Sequence, residues 1–210
     1  IMQVGSGAND LVIAGGAESM SNAPFFSIEM RWGLKGDGLT LHDGLSRGRY
    51  TAGGKYHPVP GGMIETAENL AKDYGITREE ADAFAAESHR RAAAAWEDGR
   101  FADAVVPLSV PQRKGYPVLF ERDECVRPDS TPEKLAKLRV LMKDGTVTAG
   151  NAAQQNDAAA ACLIVAEDKL EELGLTPLAF LSGWSAVGCD PSRMGIGPVP
   201  ATQKVMQKTG

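Results

Sequence analysis

Apolar and polar positions follow two rhythms along this chain. From Ala158 to Val165 eight consecutive residues are apolar, opened by the polar pair Asn156-Asp157. A run of this length bounded by turn residues predicts a buried central strand, covered on both faces. Asp10 to Ala14 predicts a second short strand, ending in Gly15-Gly16-Ala17-Glu18-Ser19-Met20-Ser21. Val105 to Val110 and Tyr116 to Phe120 flank the turn Gln112-Arg113-Lys114-Gly115 and predict a hairpin, with Pro107 marking an edge strand. Leu178 to Val187, punctuated by Pro177, predicts another strand.

Helical spacing takes over elsewhere. Ile64 to Tyr74 predicts one helix, and a longer one follows Gly75. Thr77 and Glu80 form a capping box at its start, and Gly99 stops it. Ala81, Phe84, Ala85, Ser88, Ala92 and Trp96 recur at three-to-four spacing and predict its buried face, leaving His89 with Arg90 and Arg91 on the polar side. Ser130 is read as the cap of a helix with Pro132 in its first turn and Leu135, Leu138 and Met142 inward. Glu167 to Leu173 predicts a short helix stopped by Gly174. Ile1 to Val4 reads as the last turn of a helix, Gly195 to Pro200 as a rigid loop, and Thr202 to Gly210 as an ending amphipathic helix. Both ends suggest a piece of a longer chain.

Composition narrows the class. The 210 residues carry a net charge of −5 and 43% hydrophobic side chains, enough for one large domain or parts of two. Few aromatics with many Ala and Gly favour α/β layers in close backbone contact. No basic stripe with stacking aromatics is present, which argues against nucleic acid as a partner. No apolar run approaches the roughly 18 residues of a membrane span, and no signal peptide is read. Cys125, Cys162 and Cys189 lie far apart without metal-ligand spacing. They read as reduced thiols of a cytoplasmic protein, Cys162 in the core and Cys125 in a loop, and no metal site is expected.

The stretch with the most chemical content is Gly145 to Val165. After the β-rich Thr146-Val147-Thr148 comes a patch of small residues, Ala149-Gly150-Asn151-Ala152-Ala153. Small residues there leave room for a ligand, or for a tight turn feeding a core strand, and the residues alone leave both open. Gly15-Gly16 lacks both a dinucleotide fingerprint and a P-loop lysine, so a packing role is preferred to phosphate binding. Phe25 to Gly62 is a long loop dense in Gly and Pro, of the kind that is functional or covers something. Its His42 and His57 have no carboxylate or cysteine at useful spacing and read as loop residues.

Several separate segments resemble one family. Gly15 to Ser21, Thr66-Ala67-Glu68-Asn69, Arg113-Lys114-Gly115, Gly145 to Asn151, Asn156-Asp157 and Met194-Gly195-Ile196-Gly197-Pro198 are similar, in order and spacing, to the thiolases. These are the acetyl-CoA acetyltransferases and 3-ketoacyl-CoA thiolases. The resemblance implies a layered α/β/α/β/α fold, incomplete here, with an inserted loop domain. Residues 1–24 would end the N-terminal core, 25–148 form the inserted CoA-binding loop domain, 149–174 return to the core, and 177–210 begin the C-terminal half.

The resemblance also implies chemistry: acyl transfer between CoA thioesters through a cysteine nucleophile, with coenzyme A thioester as substrate and no cofactor. The family's Cys-Gly-Ser, Gly-His-Pro, Cys-x-Gly and Asn-Glu-Ala-Phe motifs are not in these 210 residues, so no catalytic residue is assigned. Met63, Met142, Ala149, Ala153 and Met194 fall where thiolases line the pantetheine and acyl channel, and Arg127 where the nucleotide end of CoA lies. Thioether side chains suit an irregular slender ligand, and Arg suits phosphate. A Met at helical spacing is equally a core residue, and Arg127 equally a surface charge. Ala153 replaces a common serine, and Gly62, Ile64 and Glu65 depart from the usual residues around Met63. The expected whole is a homodimer or homotetramer of fatty acid metabolism. A non-catalytic thiolase-like lipid or CoA carrier, and a free-standing scaffold domain, are the other readings.

Overall fold

The computed structural model describes residues 1–36, 38–50, 56, 58 and 61–210. His57 lies outside them. The chain divides into two compact units, one of residues 1–66 with 155–210 and one of residues 67–154.

In the first, discontinuous unit, α1 (Met2–Gly5) is the short helical turn expected at the start. β1 (Leu11–Ser19) follows and pairs antiparallel with β6 (Asp157–Val165), Leu11 opposite Val165 and Ser19 opposite Asp157. Gly15 and Gly16 therefore sit inside a strand. A Cβ on Gly15 would lie 2.6 Å from the Ala160 carbonyl oxygen, so the glycine lets β6 come close. The expected covered strand is not what this chain builds. β6 is exposed from Asp157 to Leu163, and Cys162, expected in the core, is exposed with it. A two-stranded apolar ribbon needs layers over its faces to be dry, and the described residues of this chain do not supply them.

The long Gly/Pro-rich segment carries some order of its own. β2 (Phe25–Phe26) pairs with β3 (His42–Asp43), and α2 (Gly44–Tyr50) follows. Near the other end of the unit, Leu178 to Val187 forms no strand. It lies instead along α6 (Pro198–Thr209): Ser185 Oγ donates to the Ala201 carbonyl at 2.5 Å and Lys204 Nζ to the Ala186 carbonyl at 3.2 Å. A strand forms only beside a partner, and here the helix takes that place. Glu167 to Leu173 is a single 3-10 turn (Glu167–Lys169) followed by turns. Pro191–Ile196, partly expected as loop, is also 3-10.

α3 (Met63–Tyr74) ends at Gly75, whose positive φ of 65° allows Ile76 N–H to reach back to the Ala71 carbonyl. α4 (Arg78–Glu97) opens on the expected capping box and closes at Gly99 by the same six-to-one bond, Arg100 N–H to Ala95. Its buried face is displaced from the one expected. Asp82, Ala86 and Ala93 are buried, whereas Phe84 is 79% exposed and Ser88 is exposed. The inner stripe is the one that meets α5 (Pro132–Leu135), which begins at Thr131 rather than Ser130 and lasts one turn. Leu135 is buried, and Leu138 and Met142 are partly exposed. The expected hairpin is present as β4 (Leu108–Val110) against β5 (Val118–Phe120), three residues a strand. Trp96 packs on Phe101, centroids 4.9 Å apart, with Arg122 over the Trp96 ring.

Candidate functional site

The small-residue loop 145–151 lies wholly within the continuous unit, and side chains from α3 and α4 hold it in place. Glu68 of α3 accepts the Thr146 amide at 2.9 and 3.0 Å, the Val147 amide at 2.8 Å and the Thr146 hydroxyl at 3.2 Å. One carboxylate thus satisfies successive loop N–H groups that would otherwise need water or a strand. Gly145 is part of that fit, because a Cβ there would overlap the Glu68 carboxylate.

Asn151 braces the loop from within. Its Oδ1 accepts the Thr148 amide at 2.8 Å, and its Nδ2 donates to the Thr146 carbonyl at 3.0 Å and to Asp82 Oδ1 at 2.9 Å. Asp82 is 3% exposed, a buried carboxylate on the inner stripe of α4. Arg78, one turn earlier, donates to its other oxygen at 2.7 Å and also reaches the Leu135 and Leu138 carbonyls at 2.7 and 3.0 Å. A buried charge with partners on every side is rigid, and removing one partner strands the other. Thr148 is fully buried, and its Oγ1 accepts the Gly150 amide. Gly150 in turn lies so close to Leu135 and Leu138 that a Cβ would overlap both. Hence part of the small-residue patch makes room for the chain itself.

The exposed residues of this loop are the other part. Ala149 stands exposed between the buried Thr148 and the tightly packed Gly150, and Ala153 is exposed after the turn that brings Ala152 N–H to the Thr148 carbonyl. Leu141 N–H pairs with the Val147 carbonyl and Val140 bridges to Thr148, so the segment ending in Met142 runs beside the loop. Met142, Ala149 and Ala153 therefore share one braced loop system. Arg127, exposed, belongs to the same unit; its amide donates to His89 Nδ1 at 3.2 Å. His89, expected on the polar side of α4, is half-buried and engaged in that bond. Met63 and Met194 lie in the discontinuous unit, Met63 at the first position of α3 and Met194 in the 3-10 segment, 57% and 42% exposed.

Other polar groups of the discontinuous unit gather at one end of the ribbon. Asp157 accepts from the Ser21 amide at 2.9 Å, from Ser19 Oγ at 3.1 Å and from Ser21 Oγ. The Ser21 hydroxyl and amide hold its carboxyl below the usual carboxylate range. His42, expected without an acidic partner, has Nε2 3.9 Å from Glu29 Oε1, and that nitrogen makes no hydrogen bond. Two surface depressions, one lined by Ser27, Ile28, Met30, Arg31 and Trp32 and one by Leu41, His42, Asp43, Ser46 and Arg47, contain none of the expected ligand-lining residues. Among the described residues no group of three or more His, Cys, Asp or Glu gathers as a metal site would require.

A braced loop presenting methyl groups, next to a thioether, offers a narrow, flexible ligand a smooth edge with no side chain to displace. Sequence reasoning picked out Glu68 and Asn151 as parts of matching segments, but not as the braces. It passed over Arg78 and Asp82. Their signal was present as an Arg-Asp pair four residues apart, on the face of α4 that proved buried.

Residues 1–168 match the family model described as the thiolase N-terminal domain. The chain belongs to the thiolase family. An acetyl-CoA acetyltransferase of Chromobacterium violaceum is 48% identical over 98% of this chain and 52% of its own length. A probable acetyl-CoA acyltransferase of Staphylococcus aureus is 45% identical over 97% of this chain and 51% of its own. Among solved structures, the Bacillus anthracis acetyl-CoA acetyltransferase superposes with a TM-score of 0.90 at 42% identity, covering 99% of this chain and 52% of that one. Human mitochondrial 3-ketoacyl-CoA thiolase in complex with CoA superposes with a TM-score of 0.87 at 41% identity, covering all of this chain and 51% of that one. This thiolase chain therefore has the α/β fold of the family and spans about half the length of the curated relatives it matches.

Proposed function

We propose that this thiolase chain is part of an enzyme that moves acyl groups between CoA thioesters, joining two acetyl-CoA molecules or cleaving a 3-ketoacyl-CoA. The observation that carries the reading is near-complete coverage of this chain, at 48% identity, by a relative named acetyl-CoA acetyltransferase. The local geometry agrees with what such a ligand needs. Pantetheine is a thin chain of amides and methylenes. Ala149 and Ala153 on their braced loop give it close approach, and Met142 gives it adaptable apolar contact. Met63 and Met194 supply further thioether contacts in this reading, and Arg127 pairs with phosphate at the nucleotide end.

The nucleophile of this reading lies in residues other than these 210. Cys125, Cys162 and Cys189 stand outside any Cys-Gly-Ser or Cys-x-Gly sequence, and the chain's own part is to bind and orient. The same reading makes the whole enzyme a cytoplasmic homodimer or homotetramer of fatty acid metabolism.

Two measurements test it. The longer protein carrying this chain is expected to cleave acetoacetyl-CoA in the presence of CoA, whereas the purified 210-residue chain is expected not to. Absence of turnover in the longer protein, with CoA still bound, would favour a carrier. Turnover by the isolated chain after replacement of all three cysteines would overturn the division of labour. Arg127→Ala in the longer protein is expected to weaken CoA binding more than it slows acyl transfer.

A further inference from the structure

The strongest unassigned feature is the side-chain chain Arg78–Asp82–Asn151, centred on the buried Asp82, which ends on the Thr148 amide and the Thr146 carbonyl just before Ala149. We propose that Asn151 is a positioning residue for the CoA arm, setting the place of Ala149 through its hold on Thr148, with Asp82 as its anchor on α4. The inference rests on the acyl-CoA reading above and adds to it a residue that touches no ligand itself.

The geometry is specific. All the hydrogen-bonding capacity that Asn151 turns inward is directed at the loop or its anchor: Oδ1 to the Thr148 amide, Nδ2 to the Thr146 carbonyl and to Asp82. Thr148, which immediately precedes Ala149, is fully buried and also accepts the Gly150 amide that follows it. The exposed alanine is therefore an apex whose two flanking residues are held by one set of bonds. A shift of a few tenths of an ångström at Asn151 moves the apex with it, because neither flank has slack. Asp82 is suited to anchor the set, since Arg78 holds its second oxygen and fixes the orientation of the first. An amide at position 151, rather than a carboxylate, is what the site requires, because the group facing Asp82 Oδ1 has to donate.

In the longer protein, Asn151→Ala removes the brace, and CoA affinity measured by calorimetry is expected to fall about tenfold, the equivalent of one or two net hydrogen bonds. The kcat at saturating substrate is expected to stay within about twofold. Asn151→Asp places a carboxylate against Asp82 at the spacing of a hydrogen bond, and two carboxylates that close share one proton. The charged groups bound into the same network are Arg78, on the helix of Asp82, and Glu68, which reaches the loop from α3. The ratio of N151D to wild-type CoA dissociation constants is expected to be smallest at low pH, where the shared proton restores the bond to Asp82 though not the second donation to the Thr146 carbonyl, and to rise toward neutral pH.

Should N151A fail to fold, the N151D series carries the test, since protonation rescues the same bond. Wild type that binds CoA while N151A binds it equally well, or an N151D ratio that is flat with pH, overturns this inference and leaves the acyl-CoA reading standing. Wild type that binds no CoA overturns both.

Discussion

The loop at 145–151 and the ribbon of β1 and β6 are both rich in small apolar residues, yet they are held by opposite means. The ribbon is a backbone ladder, nine residues on each strand in continuous register, with its side chains largely exposed. The loop has a single bridge of backbone pairing, and its order comes from Glu68, Asp82, Arg78 and Asn151. A ladder's order rests on paired backbone groups, so replacing one side chain leaves its hydrogen bonds in place. A loop braced by side chains keeps its shape only while each buried donor has its acceptor. The difference marks the loop as the place where single substitutions have large effects.

Loss of Asp82 should break the contrast most visibly. Asp82→Ala leaves the Arg78 guanidinium and the Asn151 amide without their common partner in a dry site, and is expected to cost about 3–5 kcal/mol, read as a drop in the urea midpoint. A cost below about 1 kcal/mol would mean the network is wet and loose. Glycine substitutions sharpen the comparison at the next level. Gly150→Ala drives a methyl into Leu135 and Leu138 and is expected to cost about 1–3 kcal/mol. Gly16→Ala in the ribbon, where a Cβ meets nothing within 4 Å, is expected to change stability by no more than about 0.5 kcal/mol. Equal effects at the two sites would dissolve the distinction.

Smaller effects come from the termini of the two regions. Thr77→Ala removes the capping box that starts the helix carrying Arg78 and Asp82, and is expected to cost about 1 kcal/mol in thermal unfolding. At the ribbon's end, Asp157 has its carboxyl lowered from 3.8, chiefly by the Ser21 hydroxyl and amide. A lowered folded value contributes stability at pH above the unfolded value, and that contribution disappears as pH falls through the folded one. Asp157→Asn is therefore expected to flatten the acid side of the stability profile below about pH 4 by lowering stability at neutral pH, where the charged carboxylate contributes, toward the value at the acid end. An unchanged acid limb would show that the exposed cluster is fully screened.

Much of the architecture was legible because its causes are local. The capping box of Thr77 and Glu80, the glycine stops at Gly75 and Gly99 and the turn between β4 and β5 each involve residues within a few positions of one another. The family resemblance reached further than these, since it drew on the order of segments across the whole chain. Where the reading failed, the cause was distant. α4 offers two apolar stripes, and the one that turned inward is the one α5 and Asn151 meet, 50 to 70 positions away in sequence. Ser130 and Thr131 are equal candidates for a cap until the backbone chooses between them.

Residue order alone determined the capping box at Thr77 and Glu80 and the helix stops at Gly75 and Gly99, because caps and glycine stops act within one or two turns. Tertiary structure alone decided which faces are dry. It placed a buried carboxylate under the Ala149 loop and laid the segment after Pro177 on a helix instead of in a sheet. The physical reason is that burial and hydrogen-bond satisfaction are properties of pairs, and the second member of each pair is set by the path of the whole chain.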